Sequence, residues 1–299
     1  MKIVLVTGGT GFIGKNLIKK LSEKRKIKII LLTKKVTKNF KNKKIIKIKS
    51  NWNLSDKNFK KIKNLNPSVV IHLAWSGIPD YGVKNSMDNL NKQINFFDKI
   101  REIKSLKTII VTGSCWEYMT GRGICNENSL LTPKNFKYKD FNAPYFIWAK
   151  NSLRAYLKFR FRNINIIWLR LFYVYGEGQK NKSLIPYLIK SKKKNKKVKL
   201  INPYGSNDFI NVKDVCEAII KSIDFKKSEI FNIGTGKLVS IKSIKNFIDN
   251  YEKKKETQIK YEKNLKRGFR ASLKKSKKFL NWKPQIKISD GIKSLINFE

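Results

Sequence analysis

Three glycines near the start of the chain are spaced to hold a phosphate. The segment Thr7-Gly8-Gly9-Thr10-Gly11-Phe12-Ile13-Gly14 follows the β-branched run Ile3-Val4-Leu5-Val6 and leads into the helical pattern Lys15-Asn16-Leu17. Glycines at 8, 11 and 14 allow a tight turn, close approach of backbone to a pyrophosphate, and close packing of helix on sheet. The N–H groups and positive dipole end of the helix that follows suit the anion. About 20 residues further on, an acid would bind a ribose 2′-hydroxyl. That position is Thr33, followed by Lys34 and Lys35. No carboxylate is there to repel a 2′-phosphate, so NADP(H) is favoured and NAD(H) stands as the alternative. Lysine is abundant throughout, so the missing acid is the better clue.

Other chemistries lack their raw material. With one histidine, His72, the chain cannot build a zinc cage of the usual kind or a histidine-based triad. His72 follows an apolar strand and reads as a structural, hydrogen-bonded residue. Cys115, Cys125 and Cys216 are an odd number without paired spacing, which suits a reducing compartment. No apolar run reaches the roughly 18 residues of a membrane span, and Met1-Lys2 leads straight into a strand. The expectation is a cytoplasmic protein without membrane insertion.

The 299 residues carry 67 Lys+Arg against 21 Asp+Glu, a formal net charge of +46. Clustered cations neutralise phosphates, but these lysines are spread along the whole chain, and a specific nucleic-acid reader favours Arg. The sequence therefore predicts no specific nucleic-acid partner. Lys190–Lys197 reads as a solvated helix end and turn.

The positioning elements follow from periodicity. Strand-like runs at Lys2–Thr7, Lys28–Leu32, Ile45–Ile48, Val69–Leu73, Thr108–Thr112 and Asn165–Leu169 alternate with helical patterns at Gly14–Glu23, Asp88–Lys104 and Tyr145–Arg162. Such alternation predicts an α/β fold, a doubly wound parallel Rossmann sheet. The second half is less regular, with helices near Leu184–Lys192, Val212–Ile223 and Ile241–Asn250 and a strand at Glu229–Ile233. The expected division is a dinucleotide-binding domain over residues 1–170 with about 209–235, and a smaller interwoven α/β substrate lobe over 171–208 and 236–299.

Further motifs stand in order along the chain: His72-Leu73-Ala74-Trp75, Val111-Thr112-Gly113-Ser114-Cys115-Trp116-Glu117-Tyr118, Arg170-Leu171-Phe172-Tyr173-Val174-Tyr175-Gly176, Gly205–Val215, Phe231-Asn232-Ile233-Gly234-Thr235-Gly236 and Leu280-Asn281-Trp282-Lys283-Pro284. Together with the glycine turn they resemble the extended short-chain dehydrogenase/reductase (NAD-dependent epimerase/dehydratase) family, in its nucleotide-sugar branch. The resemblance implies a cytoplasmic, homodimeric NAD(P)-dependent oxidoreductase of cell-surface polysaccharide biosynthesis, paired through the helices Asp88–Lys104 and Tyr145–Arg162. It implies a cofactor site including Gly8, Thr10, Gly11, Phe12, Ile13, Gly14, Thr33, Lys34, Asn53, Leu54, Leu73, Ala74, Trp75, Asn89, Lys150 and Phe172. Asn53-Leu54 departs from the usual Asp-Leu at the adenine contact.

In this family a tyrosine moves the substrate proton, a lysine four residues later lowers that tyrosine's pKa, and a serine bonds the reacting oxygen. The resemblance places Ser114 and Lys150 in two of these roles. Four residues before Lys150 stands Phe146, and Tyr145 is five before. On a regular helix four residues rotate by about 40° net and five by about 140°. Three readings stand open. Tyr145 lies ahead of the first helical turn and aims inward; or Phe146 replaces the tyrosine and Tyr118, Tyr138 or water moves the proton; or the chain binds without catalysing. The first is adopted as the catalytic expectation.

Arg170 in an apolar run predicts a paired structural guanidinium. Asn207 stands where the family has a diphosphate-binding arginine, leaving Arg267 and Arg270 as candidate substrate clamps. The stretch Ser114-Cys115-Trp116 lacks the acids of a 4,6-dehydratase. The resemblance therefore implies a 4-keto-sugar-nucleotide reductase, with an NAD-dependent epimerase or a non-catalytic dinucleotide-, sugar-nucleotide- or RNA-binding module as alternatives.

Overall fold

The computed structural model describes residues 1–34, 40, 42–50, 54–129, 143–251 and 258–298. Asn53, Lys35 and Tyr138 lie outside them. The chain divides into two compact units: Met1–Glu117, Thr132–Arg170 and Ile219–Phe231 form the first, and Tyr118–Leu131, Leu171–Ala218 and Asn232–Glu299 the second. Residues 118–129, 209–218 and 232–235, read from sequence as part of the dinucleotide-binding half, group with the second unit.

In the first unit, strands β1 (Lys2–Thr7), β2 (Ile27–Thr33), β3 (Ile45–Lys49), β4 (Val69–His72), β5 (Thr108–Ser114), β6 (Asn165–Leu171) and β7 (Glu229–Ile233) build one seven-stranded sheet. Its order is β7-β6-β5-β4-β1-β2-β3, and β1 pairs in parallel with both β2 and β4. This is the doubly wound order, with the chain reversing its direction of growth at β1. Interleaved are α1 (Phe12–Glu23), α2 (Asp56–Leu65), α3 (Val83–Ile100) and α4 (Pro144–Arg160). Buried apolar strand residues such as Leu5, Ile30, Val70, Ile109 and Trp168 meet Phe97, Ala149, Leu153 and Leu157 from the helices in one core. Leu54 is buried in that core.

Helix ends follow local chemistry. Sequence periodicity did not single out α2, yet Ser55 caps it by accepting from Asn58 N–H (3.3 Å), and Asn66 ends it at φ 56°. Helix α3 starts at Val83 after Gly82, five residues ahead of the expected Asp88, and ends at Ile100 rather than Lys104. Beyond Ile100 the chain turns through Ile103 N–H to Ile100 C=O (3.0 Å).

The second unit pairs Tyr173–Tyr175 with Phe209–Asn211 in parallel and Leu238–Ser240 antiparallel to residues 261–262 and 206–207. Helices Leu184–Lys193, Ile241–Asn250 and Ile288–Phe298 contribute Ile185, Phe247 and Ile292 to its own core. Within it, the buried Asp208 carboxylate accepts from the N–H groups of Thr235 (2.6 Å), Gly236 (2.9 Å) and Ala271 (3.0 Å). No helix among the described residues is long and apolar enough to cross a membrane.

A Cβ on Gly14 would lie 2.1 Å from Gly8 O and 2.5 Å from Gly9 Cα, both backbone atoms. Gly14→Ala gains roughly 1 kcal/mol of helix propensity but forces α1 off the turn, an overpacking cost of about 1–3 kcal/mol. The net expectation is a lower midpoint in urea unfolding together with weaker dinucleotide binding; unchanged values of both would contradict this packing.

Candidate active site

The glycine turn and the end of β4 approach backbone to backbone. Gly8 has φ +71°, and a Cβ on it would sit 2.7 Å from Ala74 N. Such proximity requires glycine on both steric and conformational grounds. Above it opens a cleft of about 330 Å³ lined by Gly8, Thr10, Gly11, Thr33, Lys34, Leu73, Ala74 and Trp75, all expected from sequence, and by Thr7, Leu32, Ser50, Ser76, Gly77 and Phe96. Phe12, Ile13 and Gly14 form the first turn of α1, whose N-cap Gly11 provides no side-chain cap. Trp75 Nε1 is buried without a hydrogen-bond partner. A helix start uncapped by any side chain and an orphaned indole N–H both suit a polyoxyanion ligand, so the residues present fit a nicotinamide dinucleotide.

Among the described residues no carboxylate lines this cleft, and Lys34, the one charged lining residue among them, has Nζ 3.5 Å from Ser76 Oγ. Leu54 and Asn89, both expected at the cofactor, do not line it. Asn89 is buried and bonds the loop after β4: its Oδ1 accepts from Ser76 N–H (2.7 Å), while Nδ2 donates to Asn85 O (2.7 Å) and Ser76 O (3.1 Å). The amide is thereby spent on shaping the cleft wall. His72 lies beneath, with Nδ1 2.9 Å from Thr7 Oγ1 and Nε2 3.0 Å from Gln93 Oε1. Burial pushes its pKa down to about 3, with the Lys150 charge adding to the effect. A neutral ring must then donate from Nε2 and accept from Thr7.

Ser114 ends β5. Its N–H donates to Glu117 Oε1 (2.7 Å) and its Oγ accepts from Trp116 N–H (3.2 Å). Glu117, fully buried, also accepts from Trp168 Nε1 (3.0 Å) and Arg170 Nε (2.9 Å). Arg170 is thus the paired structural guanidinium read from its apolar surroundings. Sequence reasoning gives Glu117 no role; the one signal for it is a lone acid two residues beyond Cys115.

Lys150 lies in α4 with 5% of its surface exposed. Its Nζ donates to Thr112 O (2.9 Å) and stands 4.5 Å from the centre of the Trp75 ring, a cation–π arrangement. Burial lowers its pKa from 10.5 to about 8, partly opposed by Glu117. Strand β5 thereby receives both Ser114 and the lysine.

The expected position of Tyr145 needs correction. Pro144 occupies the first turn and the helix begins there, so Tyr145 lies inside α4, with 49% exposure, and not ahead of it. Helical rotation instead turns Phe146 inward. Its ring is buried against Trp75 (centroids 4.8 Å), Tyr81 (5.2 Å) and Trp116 (6.2 Å), 5.7 Å from Lys150 Nζ. Tyr81 was not identified from sequence, because only folding brings its loop to α4. Tyr118, a buried residue of the second unit, donates its hydroxyl to Asn232 Oδ1 (2.7 Å). Phe172, also in the second unit, is buried beside Phe269 (6.0 Å). Arg267 pairs with Glu262 (2.9 Å) and Arg270 Nη1 donates to Gly236 O (2.5 Å), so both candidate clamps already have partners within that unit.

Residues 4–234 match the NAD dependent epimerase/dehydratase family. The chain belongs to it. Among relatives, the dTDP-4-dehydro-6-deoxyglucose reductase of Escherichia coli is 26% identical, over 98% of this chain and 96% of the relative. A putative UDP-glucose 4-epimerase of Methanocaldococcus jannaschii is 29% identical, over 99% and 98% respectively. The fold is similar to that of the UDP-glucuronic acid 4-epimerase of Bacillus cereus, solved with UDP-glucuronic acid and NAD, with a TM-score of 0.81 at 22% identity over 99% of this chain and 98% of that one. This epimerase/dehydratase-family chain thus combines the family's sheet and glycine turn with a phenylalanine packed beside its buried lysine.

The depressed lysine pKa has a consequence for stability. Between pH 8 and 10.5 the unfolded chain holds a proton on Lys150 that the folded chain has released, so stability rises with pH through this window and falls as pH drops back through about 8. Relative to Lys150→Met, the wild type should gain up to about 3 kcal/mol across that interval. Paired urea titrations check it; a pH-independent difference would contradict the burial of the charge.

Proposed function

We propose that the chain is an NADPH-dependent reductase of a 4-keto nucleoside-diphosphate sugar. The observation that carries the reading is a dinucleotide cleft whose described lining residues include no acid and one cation, Lys34. A cation there suits the 2′-phosphate, whereas an acid would bind a free ribose hydroxyl. NADPH, when bound, supplies the hydride. Gly8, Thr10, Gly11 and the first turn of α1 would hold its phosphates, and Thr33 and Lys34 its 2′-phosphate.

The chain's own residues bind, orient and manage charge. The Ser114 hydroxyl donates to the carbonyl oxygen and polarises it. Lys150 supplies positive charge where alkoxide develops. Arg267 and Arg270 are the candidate diphosphate clamps, and Phe172 the candidate neighbour of the nicotinamide. The E. coli relative, a reductase by name, supports this reaction class. The epimerase reading draws support from the M. jannaschii relative, and would be favoured by NAD retained through purification.

Fluorescence titration with NADPH and NADH tests the cofactor, followed by assay of nucleoside-diphosphate 4-keto-6-deoxyhexoses. The wild type should prefer NADPH. Lys34→Glu should weaken NADPH at least tenfold, the loss of one charge-assisted contact worth about 1.5–3 kcal/mol, and change NADH far less. Equal losses for both cofactors would overturn the 2′-phosphate assignment.

A further inference from the structure

We propose that the Lys150 ammonium is itself the acid that protonates the oxygen of the reduced carbonyl. The inference deepens the reductase reading and rests on it. Among the described residues, the groups near β5 and α4 that could compete are Tyr118, Tyr145, His72, Glu117 and Tyr81. The Tyr118 hydroxyl donates to Asn232 Oδ1. Tyr145 lies half-exposed, and helical rotation carries it about 140° from Lys150. Phe146, at the inward position four residues before the lysine, has no proton to give. The His72 ring is neutral and bonded at both nitrogens. Glu117 is a carboxylate held by Arg170, Trp168 and Ser114 N–H. Tyr81 packs its ring on Phe146 and Trp116, and burial raises its pKa, making it a weaker acid than an ordinary phenol.

Lys150 has the opposite properties. One of its three N–H bonds goes to Thr112 O, two residues before Ser114 on β5, which fixes the ammonium at the strand end that presents the serine. Its ring neighbour Trp75 also lines the cleft. With a pKa of about 8 it is protonated at neutral pH and is a stronger acid than a phenol near ~10. The charged or titratable groups acting on it from the packed elements are Glu117 after β5, which favours the ammonium, and His72 on β4, kept neutral. Tyr81 reaches the same aromatic cluster uncharged. In the step, the carbonyl carbon takes the hydride supplied by a reduced nicotinamide and the C=O π pair moves onto oxygen. An O–H bond forms there as an Nζ–H bond breaks. The resulting amine recovers its proton from water.

The test uses the full chain, NADPH and a nucleoside-diphosphate 4-keto-6-deoxyhexose in single-turnover reduction from pH 6 to 10. The wild-type rate should fall about tenfold per pH unit above about 8, as the acid is lost. Lys150→Arg keeps the cation but holds its proton, so its rate should drop at least about 100-fold and lose that pH limb. Adding Phe146→Tyr to Lys150→Arg should restore part of the rate, with the limb moved towards pH ~10. Tyr81→Phe should keep the wild-type limb. Independently of turnover, in protein carrying ¹³C at lysine Cε, the resonance absent from Lys150→Arg should titrate near pH 8. The assignment is overturned by a Lys150→Arg enzyme that keeps rate and limb, by a Tyr81→Phe enzyme that loses both, or by a Lys150 resonance that does not titrate between pH 7 and 9. A wild type that binds NADPH yet reduces no 4-keto sugar nucleotide would overturn the reductase reading, and this inference with it. Reduction with a limb independent of Lys150 would overturn the inference alone.

Discussion

A carboxylate with no exposed surface holds the first unit's centre in register. Glu117 accepts from Arg170, Trp168 and the Ser114 N–H, drawing the end of β5 onto β6. Burying a lone carboxylate costs several kcal/mol, and the ion pair is tolerable only because its geometry leaves little of the charge unsatisfied. Removing one partner would strand the other in apolar surroundings. Even the neighbouring glycine follows from this constraint: a Cβ on Gly113 would lie 2.2 Å from Trp168 Nε1 and 2.3 Å from Glu117 Oε1. The same charge helps Lys150 remain an ammonium against its own burial. One acid therefore holds the serine N–H and offsets part of the effect of burial on the lysine.

The aromatic cluster around that lysine is the site's second determinant. Trp75 and Phe146 surround the ammonium with ring faces and edges where a hydroxyl would otherwise hydrogen-bond it. Ring quadrupoles stabilise a cation without taking its proton. A lysine so placed keeps its charge, gives up solvation, and becomes more acidic. In the proposed reduction it is this nitrogen that carries the proton.

The charge of +46 has a different physical character. Among the described residues Lys150 is the one buried lysine; the others are exposed or partly exposed. A solvated lysine is screened by salt and contributes little beyond a general attraction for anions. Lys34 differs through its place in a cleft with no carboxylate among the described lining residues, not through its charge.

Much of this was legible in the residues alone. Glycine spacing, alternating strand and helix patterns and the ordered motifs specify the doubly wound sheet and the dinucleotide turn, because these depend on local φ/ψ demands and on burial periodicity. Of the cleft lining, Gly8, Thr10, Gly11, Thr33 and Lys34 followed from spacing, and Leu73, Ala74 and Trp75 from the family resemblance. The pairing of Arg170 was readable in kind, since a charge in an apolar strand needs a partner. Its partner was not, because Glu117 and Arg170 are 53 positions apart. Tertiary structure also decided the helix start at Pro144, which fixes Phe146 inside and Tyr145 outside, and brought Tyr81 against them. It spent Asn89 on a loop and Arg267 on Glu262. A hydrogen-bonding side chain is assigned by whichever partner folding brings within reach, and sequence spacing does not encode that distance.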